Sequence, residues 1–121
     1  MANIIKNYRT LVAAGTSNAA GSTTNGAVWD LTTALGGVLT AAVTNGSTGP
    51  TVGCDFVVQI SGDGTNWVEY VRQSASTAAQ TTTYFAIDLP PAVLYARPAF
   101  QGNTGQAVVI AAHGQELTAI S

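Results

Sequence analysis

The sequence predicts an all-β fold, an antiparallel β-sandwich with an extended N-terminal arm. Three observations support this prediction: short runs in which apolar and polar residues alternate, turns rich in glycine and asparagine between them, and a weak helix signal. Alternation with a period of two is typical of strands that bury one face. Short strands at regular spacing indicate a sandwich, and the pattern is compatible with either an immunoglobulin-like or a jelly-roll order.

Residues 1–25 differ in composition from the rest of the chain. The stretch IIKNYRTLVAA is followed by GTSNAAGSTTNG, in which small polar residues show no periodicity. A segment without a periodic apolar face offers nothing to bury against a core. We therefore predict an extended N-terminal arm over residues 1–25, with one edge strand near residues 8–13. The β-sandwich domain is predicted over residues 26–121.

The first segment after the arm, WDLTTAL at residues 29–35, is the one helix candidate. Gly36 and Gly37 would end such a helix at once, and its two β-branched threonines disfavour it further. Clear strand patterns follow. The run TTYFAIDL, for example, alternates so that Phe85 and Ile87 point inward while Tyr84 points outward. The predicted strands are residues 38–44, 54–61, 82–89, 94–100 and 107–112.

The decapeptide SGDGTNWVEY, residues 61–70, is the most distinctive stretch. A calcium loop needs several oxygen ligands at alternating positions, and here Asp63 is the only acid near the glycines. Asp63 and Gly64 instead have the residue types that a tight reversal requires. We interpret the stretch as a β-hairpin, with Trp67 at the head of the returning strand, where its ring would cap the core.

Charge is scarce in this chain of 121 residues: only 8% are charged, and none of residues 10–71 is Lys or Arg. Such a surface cannot neutralise a row of phosphates or bind anionic lipid electrostatically, so we expect no nucleic-acid partner and no membrane partner.

The start, MANIIKNYRT, lacks the apolar core of a signal peptide. We therefore expect synthesis and folding in a cytoplasm.

Candidates for chemistry are few. His113 is the only histidine and Cys54 the only cysteine, which is too little for a zinc site or a disulfide. The serines lie mostly in loops, and the six acidic residues form no paired-carboxylate motif. We therefore predict no catalytic residue, no metal and no cofactor, and expect that the protein is not an enzyme. His113 is expected on the face opposite Val108 and Ile110.

Three stretches together carry a family resemblance: GGVLTAAVTNG, VVQISGDGTNWVEY and LYARPAFQGNTGQAVVIAAHGQEL. They resemble small β-sandwich virion proteins of tailed bacteriophages, of the capsid decoration or cement type. The resemblance implies a structural protein on the capsid surface that stabilises the shell. It also implies contacts with the major capsid protein and with neighbouring copies, as a dimer or trimer.

Possible interface residues follow from position and rarity. Tyr8 and Arg9 lie on the predicted arm, while Arg72 and Arg97 are scarce charges on predicted strands, where each would either pair within the sheet or anchor a partner. Trp29 is a further possible interface residue, and it also belongs to an alternative function. In that alternative the protein is a carbohydrate-binding or adhesion module on a phage neck, tail or surface, and Trp29 and the loops contact the glycan.

Overall fold

The computed structural model describes residues 4–120, which form strands joined by turns. The nine strands are β1 (Ile4–Asn18), β2 (Thr24–Asn25), β3 (Trp29–Asp30), β4 (Gly37–Asn45), β5 (Asp55–Ser61), β6 (Val68–Ser74), β7 (Thr82–Leu89), β8 (Tyr95–Gln101) and β9 (Val108–Ile120). No helix in the described part of the chain has the length and apolar character needed to cross a membrane.

The strands form two packed antiparallel sheets, which confirms the predicted sandwich. One sheet has the order β1-β9-β4-β7, and the other has the order β2-β8-β5-β6 with β3 also paired to β8. Because β2 and β3 pair with successive parts of β8, they act as one interrupted strand. Counted as one, they give eight strand positions, four in the four-stranded sheet and four in the five-stranded sheet that contains β2 and β3. The chain crosses repeatedly between the two sheets. Of the two predicted orders, this one is the jelly roll.

The interruption between β2 and β3 has a local cause in Pro98 of β8. Proline has no N–H to donate, so a ladder beside it must break or bulge. The carbonyl of Pro98 accepts a hydrogen bond from the Gly26 N–H at 2.7 Å. The nitrogen of Pro98, which has no hydrogen to donate, faces the same segment between β2 and β3. A Cβ at Gly26 would lie 2.5 Å from Cγ of Pro98, so a glycine is required there.

The predicted arm is corrected by the structure. Ile4–Asn18 is an edge strand hydrogen bonded to β9, and Leu11 and Val12 belong to the buried core. The segment is extended, and the strand predicted at residues 8–13 lies within β1, but the segment belongs to the sandwich. The reason is that β1 contains register shifts, and these interrupt the alternation that would have revealed it. Residues 1–3 of the predicted arm lie outside the described residues.

The core lies between the sheets and contains an aromatic cluster at its centre. Phe56 packs against Phe85 at 5.0 Å and against Phe100 at 5.4 Å between ring centroids. The inward alternation predicted for β4 and β7 is confirmed, since Leu39, Val43, Phe85 and Ile87 are buried. In β5, Phe56 and Val58 are buried as predicted, but Val57 between them is buried as well, so this strand does not alternate. Each fully buried side chain of this size contributes roughly 1.5–3 kcal/mol to folding.

Trp29 fills one end of this core. It is 2% exposed, and its ring lies directly on the backbones of Gly37 in β4 and Gly114 in β9. A Cβ at either glycine would meet the ring at 2.8 Å, closer than carbon atoms can approach without displacement. Glycine at these two positions is therefore a packing requirement that the tryptophan imposes.

This contact predicts the effect of Gly114→Ala. The added methyl group meets a rigid ring on one side and a hydrogen-bonded sheet on the other, so we expect the free energy of unfolding to fall by about 1–3 kcal/mol. Gly46→Ala is the matched control, because a Cβ at Gly46 meets nothing within 4 Å. Urea unfolding of both variants measures the difference. Equal stability of the two would contradict the packing described for Trp29.

Candidate interaction surfaces

The arginines predicted at an interface on the five-stranded sheet have partners within the fold. Arg72 donates to Asp55 at 2.7 Å and to Glu69 at 2.8 Å, both as ion pairs. The hydrogen bonds that Arg72 donates to Glu69 and Asp55 raise its pKa further above its usual range, so it stays charged. The positive charge of Arg72 is thus already paired on the sheet surface, by two carboxylates.

Arg97 is held by two neighbours on the same sheet. Its guanidinium carbon lies 4.4 Å from the ring centroid of Trp67, and its Nε donates to Gln59 at 2.6 Å. A cation over an indole face is attracted by the ring quadrupole. Trp67 is therefore a partly exposed platform on the outside of the sheet, and the prediction that it caps the core is wrong.

Trp29, unlike Trp67, is buried. It was predicted to contact a partner or a glycan, and it lies in the core instead. The predicted roles of the two tryptophans are therefore exchanged. The reason is that Trp29 belongs to a strand of two residues, too short for alternation to show which way its side chain points.

Arg9 binds Glu116, which is the one charged side chain buried in the part of the chain that the structure describes. The Arg9 Nε lies 2.7 Å from Glu116 Oε1, and the side chains are 56% and 2% exposed, respectively. The pair fastens the edge strand β1 to β9. Since a buried carboxylate needs a compensating charge, Arg9 has a structural role before any contact with a partner.

The decapeptide is a hairpin between β5 and β6, as predicted. Asp63 Oδ1 accepts from the backbone N–H groups of Thr65 and Asn66, both at 2.8 Å, while its Oδ2 accepts from the Asn66 side chain. Ser61 Oγ also donates to Asp63. These bonds hold the pKa of the Asp63 carboxyl well below its usual range. Its oxygens are thus used by the turn itself.

No group of three or more His, Cys, Asp or Glu side chains within residues 4–120 is arranged to hold a metal ion. Cys54 is fully buried, and burial raises the pKa of its thiol to about 11, which keeps it protonated and unreactive. His113 lies on the outward face of β9, opposite Val108 and Ile110 as predicted. Its Nδ1 is 2.7 Å from the hydroxyl of Tyr8.

The outer face of the four-stranded sheet, which we call face A, is nearly uncharged. Of the charged residues in the described chain, only Lys6 and Asp88 belong to it, and both line a groove at one end. Tyr8 is 62% exposed and stacks on His113, with ring centroids 5.3 Å apart, and Tyr84 is 78% exposed. Face A consists of Tyr8 and Thr10 from β1, Val38, Thr40, Ala42 and Thr44 from β4, Thr82, Tyr84, Ala86 and Asp88 from β7, and Val109, Ala111, His113 and Gln115 from β9, with Lys6 at its edge.

A second surface lies at one end of the sandwich, where the β7–β8 loop separates two grooves. We call it the apolar end. The first groove, of about 530 Å³, is lined mainly by apolar residues, among them Leu35, Pro91 and Leu117. The second, of about 400 Å³, includes Val68 and Leu94. Large apolar side chains exposed together on a domain mark a contact surface. Those exposed at this end are Leu35, Val68, Tyr70 and Leu94.

Sequence reasoning missed the apolar end. Leu35 and Leu94 are single apolar residues in loops that are distant in the sequence, and no periodic pattern connects them. The loops meet because the Leu31 N–H donates to the carbonyl of Leu94 at 2.8 Å. The only available signal was the presence of large apolar residues beside the turn residues Gly36 and Pro91.

Comparisons with known proteins identify the fold. No protein-family model matches the chain, and no curated protein matches it. The K3 adhesin domain of Lys-gingipain from Porphyromonas gingivalis w83 is 14% identical, with a TM-score of 0.61 over 83% of this chain and 72% of that domain.

Two prophage proteins also match in structure. The PBSX exported protein XepA is 15% identical, with a TM-score of 0.59 over 98% of this chain and 37% of XepA. The SPBc2 prophage-derived protein YomS is 12% identical, with a TM-score of 0.50 over 97% of this chain and 95% of YomS. At these identities the likeness establishes the β-sandwich fold.

The Arg9–Glu116 pair predicts that Arg9→Ala lowers the free energy of unfolding by about 1–3 kcal/mol, because it leaves a buried carboxylate without its partner. Arg72→Ala is the control. It removes ion pairs of the same length, but these are solvent-exposed and contribute little. Urea unfolding compares the two variants. An equal loss for both would show that burial of Glu116 does not matter.

The Asp63 turn predicts a pH dependence. Because the pKa of Asp63 is lowered in the folded state, its carboxylate stabilises the protein above the ordinary carboxyl pKa. That contribution is lost as the pH falls through the folded-state value. Asp63→Asn lacks this contribution, so its stability should fall less steeply than that of the wild type below about pH 4. Urea unfolding from neutral to acidic pH tests this, and parallel curves would contradict it.

Proposed function

We propose that the protein is a structural component of a tailed-phage virion that decorates and stabilises the capsid through protein–protein contacts. Its partners in this proposal are the major capsid protein and neighbouring copies of itself, as a dimer or trimer on the capsid surface. It is made in the host cytoplasm and has no catalytic activity. The sequence resemblance supports the proposal, and the fold is compatible with it, since jelly rolls occur in viral capsid proteins as well as in lectins.

The observation that carries the proposal is the apolar end. Interfaces draw most of their binding energy from a small central cluster of apolar and aromatic side chains that becomes fully desolvated. Leu35 and Leu94 offer such anchors on either side of the β7–β8 loop, and each stands beside a groove that a partner side chain can fill. Strand pairing also places the start of β1 and the end of β9 at this end of the sandwich.

The distribution of charge supports the same role. Decoration brings many copies close together on one shell, and a large net charge on each would make them repel. The formal net charge is −2, and the charged side chains of the five-stranded sheet largely pair with one another. Weak individual contacts then add up, because attachment at one site raises the effective concentration at the next.

The alternative of a carbohydrate-binding or adhesion module loses its predicted contact, since Trp29 is buried. The K3 adhesin domain has a similar fold, but a fold hosts many functions and does not select one. The grooves of the apolar end contain one tyrosine among mostly aliphatic side chains, a composition more typical of protein contacts.

Co-sedimentation tests the proposal. Particles assembled by the phage after deletion of this gene are mixed with purified protein, pelleted and then heated. We expect the protein to pellet with the particles and to raise the temperature at which they release DNA. Leu94→Asp should weaken this binding by about tenfold or more, because it places a carboxylate in an apolar contact.

Ser47→Asp is the matched control, since it adds the same charge to an exposed loop outside both grooves of the apolar end. It should bind as the wild type does, and circular dichroism confirms that both variants fold. Wild-type protein that stays in the supernatant would contradict capsid decoration. Equal binding of Leu94→Asp and the control would contradict attachment through the apolar end.

A further inference from the structure

We propose that face A carries a binding site for a neutral polysaccharide, in the groove between Tyr84 and His113. This site lies outside both grooves of the apolar end, so attachment to a capsid would leave it accessible. The inference does not depend on that attachment, and the two can fail separately.

The shape of the groove follows from the register of the sheet. Tyr84, Ala42 and Ala111 lie in one row across β7, β4 and β9, and the next row contains Thr40 and His113. Strands in a sheet are about 4.8 Å apart, so Tyr84 stands about 10 Å from Ala111 across a low floor. The depression has a volume of about 300 Å³, at the lower limit for ligand sites of about 300–1,000 Å³.

Two aromatic side chains, Tyr84 and His113, line opposite sides of the groove. Tyr84 is the most exposed large apolar side chain described, at 78%. The His113 ring is held in place, because the Tyr8 ring stacks on it at 23° and the Tyr8 hydroxyl lies 2.7 Å from its Nδ1. The negative face of an aromatic ring attracts the slightly positive C–H groups of a sugar ring. Rings already held in place lose little conformational freedom when a ligand packs on them.

Polar groups beside the groove suit hydroxyl groups. The Thr40 hydroxyl lies 3.4 Å from the His113 carbonyl and 3.4 Å from Gln115 Nε2, which are long contacts that a ligand can replace with shorter ones. The charged residues of face A, Lys6 and Asp88, lie at its end and do not line this groove. An uncharged polyol therefore matches the groove better than an acidic polymer or nucleic acid, which would require cations.

A second copy of the chain fits face A less well. A flat partner would have to cover Tyr84, which is 78% exposed, together with the depression beside it. Specific protein interfaces match each other closely in shape at their core. The depression between Tyr84 and His113 therefore favours a narrow ligand over a flat protein partner.

Binding to a printed array of neutral and acidic glycans, followed by calorimetry with the best neutral oligosaccharide, tests the inference. We expect binding to at least one neutral glycan. Tyr84→Ala should weaken this binding by about tenfold, on the basis of one lost stacking contact. Tyr70→Ala is the matched control, since it removes a partly exposed tyrosine at the apolar end and should change nothing.

Three outcomes would overturn the inference: no neutral glycan binds, only acidic glycans bind, or Tyr84→Ala and Tyr70→Ala bind equally well. A dimer in sedimentation velocity that Ala111→Arg abolishes would assign the face to a second copy and would also overturn it. Tyr84→Ala should still pellet with particles as the wild type does, whereas Leu94→Asp should still bind the glycan. The two proposals are thereby separated.

Discussion

The packing of Trp29 between the two sheets is the contact on which the remaining structure depends. Trp29 belongs to the five-stranded sheet, and the glycines against its ring belong to the four-stranded sheet, so one side chain sets the separation of the sheets at this end. The chain that leaves Trp29 is then fixed by two hydrogen bonds, from Leu31 to Leu94 and from Leu35 to Leu117. Those bonds assemble the loops that form the apolar end.

The alternation of residues in long strands was enough to predict the two-layer fold and most of the core. In β4 and β7 the inward and outward residues lie where the pattern placed them. The order of the strands was not predictable, because a jelly roll is defined by pairs such as β1 with β9, whose residues are about as far apart in sequence as this chain permits. Strands β1 and β3 were not recognised from the period-two pattern, because bulges interrupt the alternation of β1 and because β3 has only two residues.

The candidate surfaces were less predictable than the fold. The scarcity of charge in the sequence indicated contacts through neutral surfaces, but composition does not show where on the molecule those surfaces lie. The sequence left open whether Arg72 and Arg97 pair within the sheet or anchor a partner. The fold places Asp55 and Glu69 beside Arg72, and Trp67 beside Arg97. Face A and the apolar end exist only because strands and loops from distant parts of the chain meet. The groove beside Tyr84, for example, combines β4, β7 and β9.

The bulges of β1 have a further consequence for crowded conditions. An unbroken edge of fifteen residues presents a row of free backbone groups to which another chain can add as a strand, and such addition can continue without limit. Three register shifts interrupt that row, and Gly15 turns the backbone at the widest of them. Side by side at high local concentration, copies of this protein therefore present an irregular template, which opposes fibrous polymerisation.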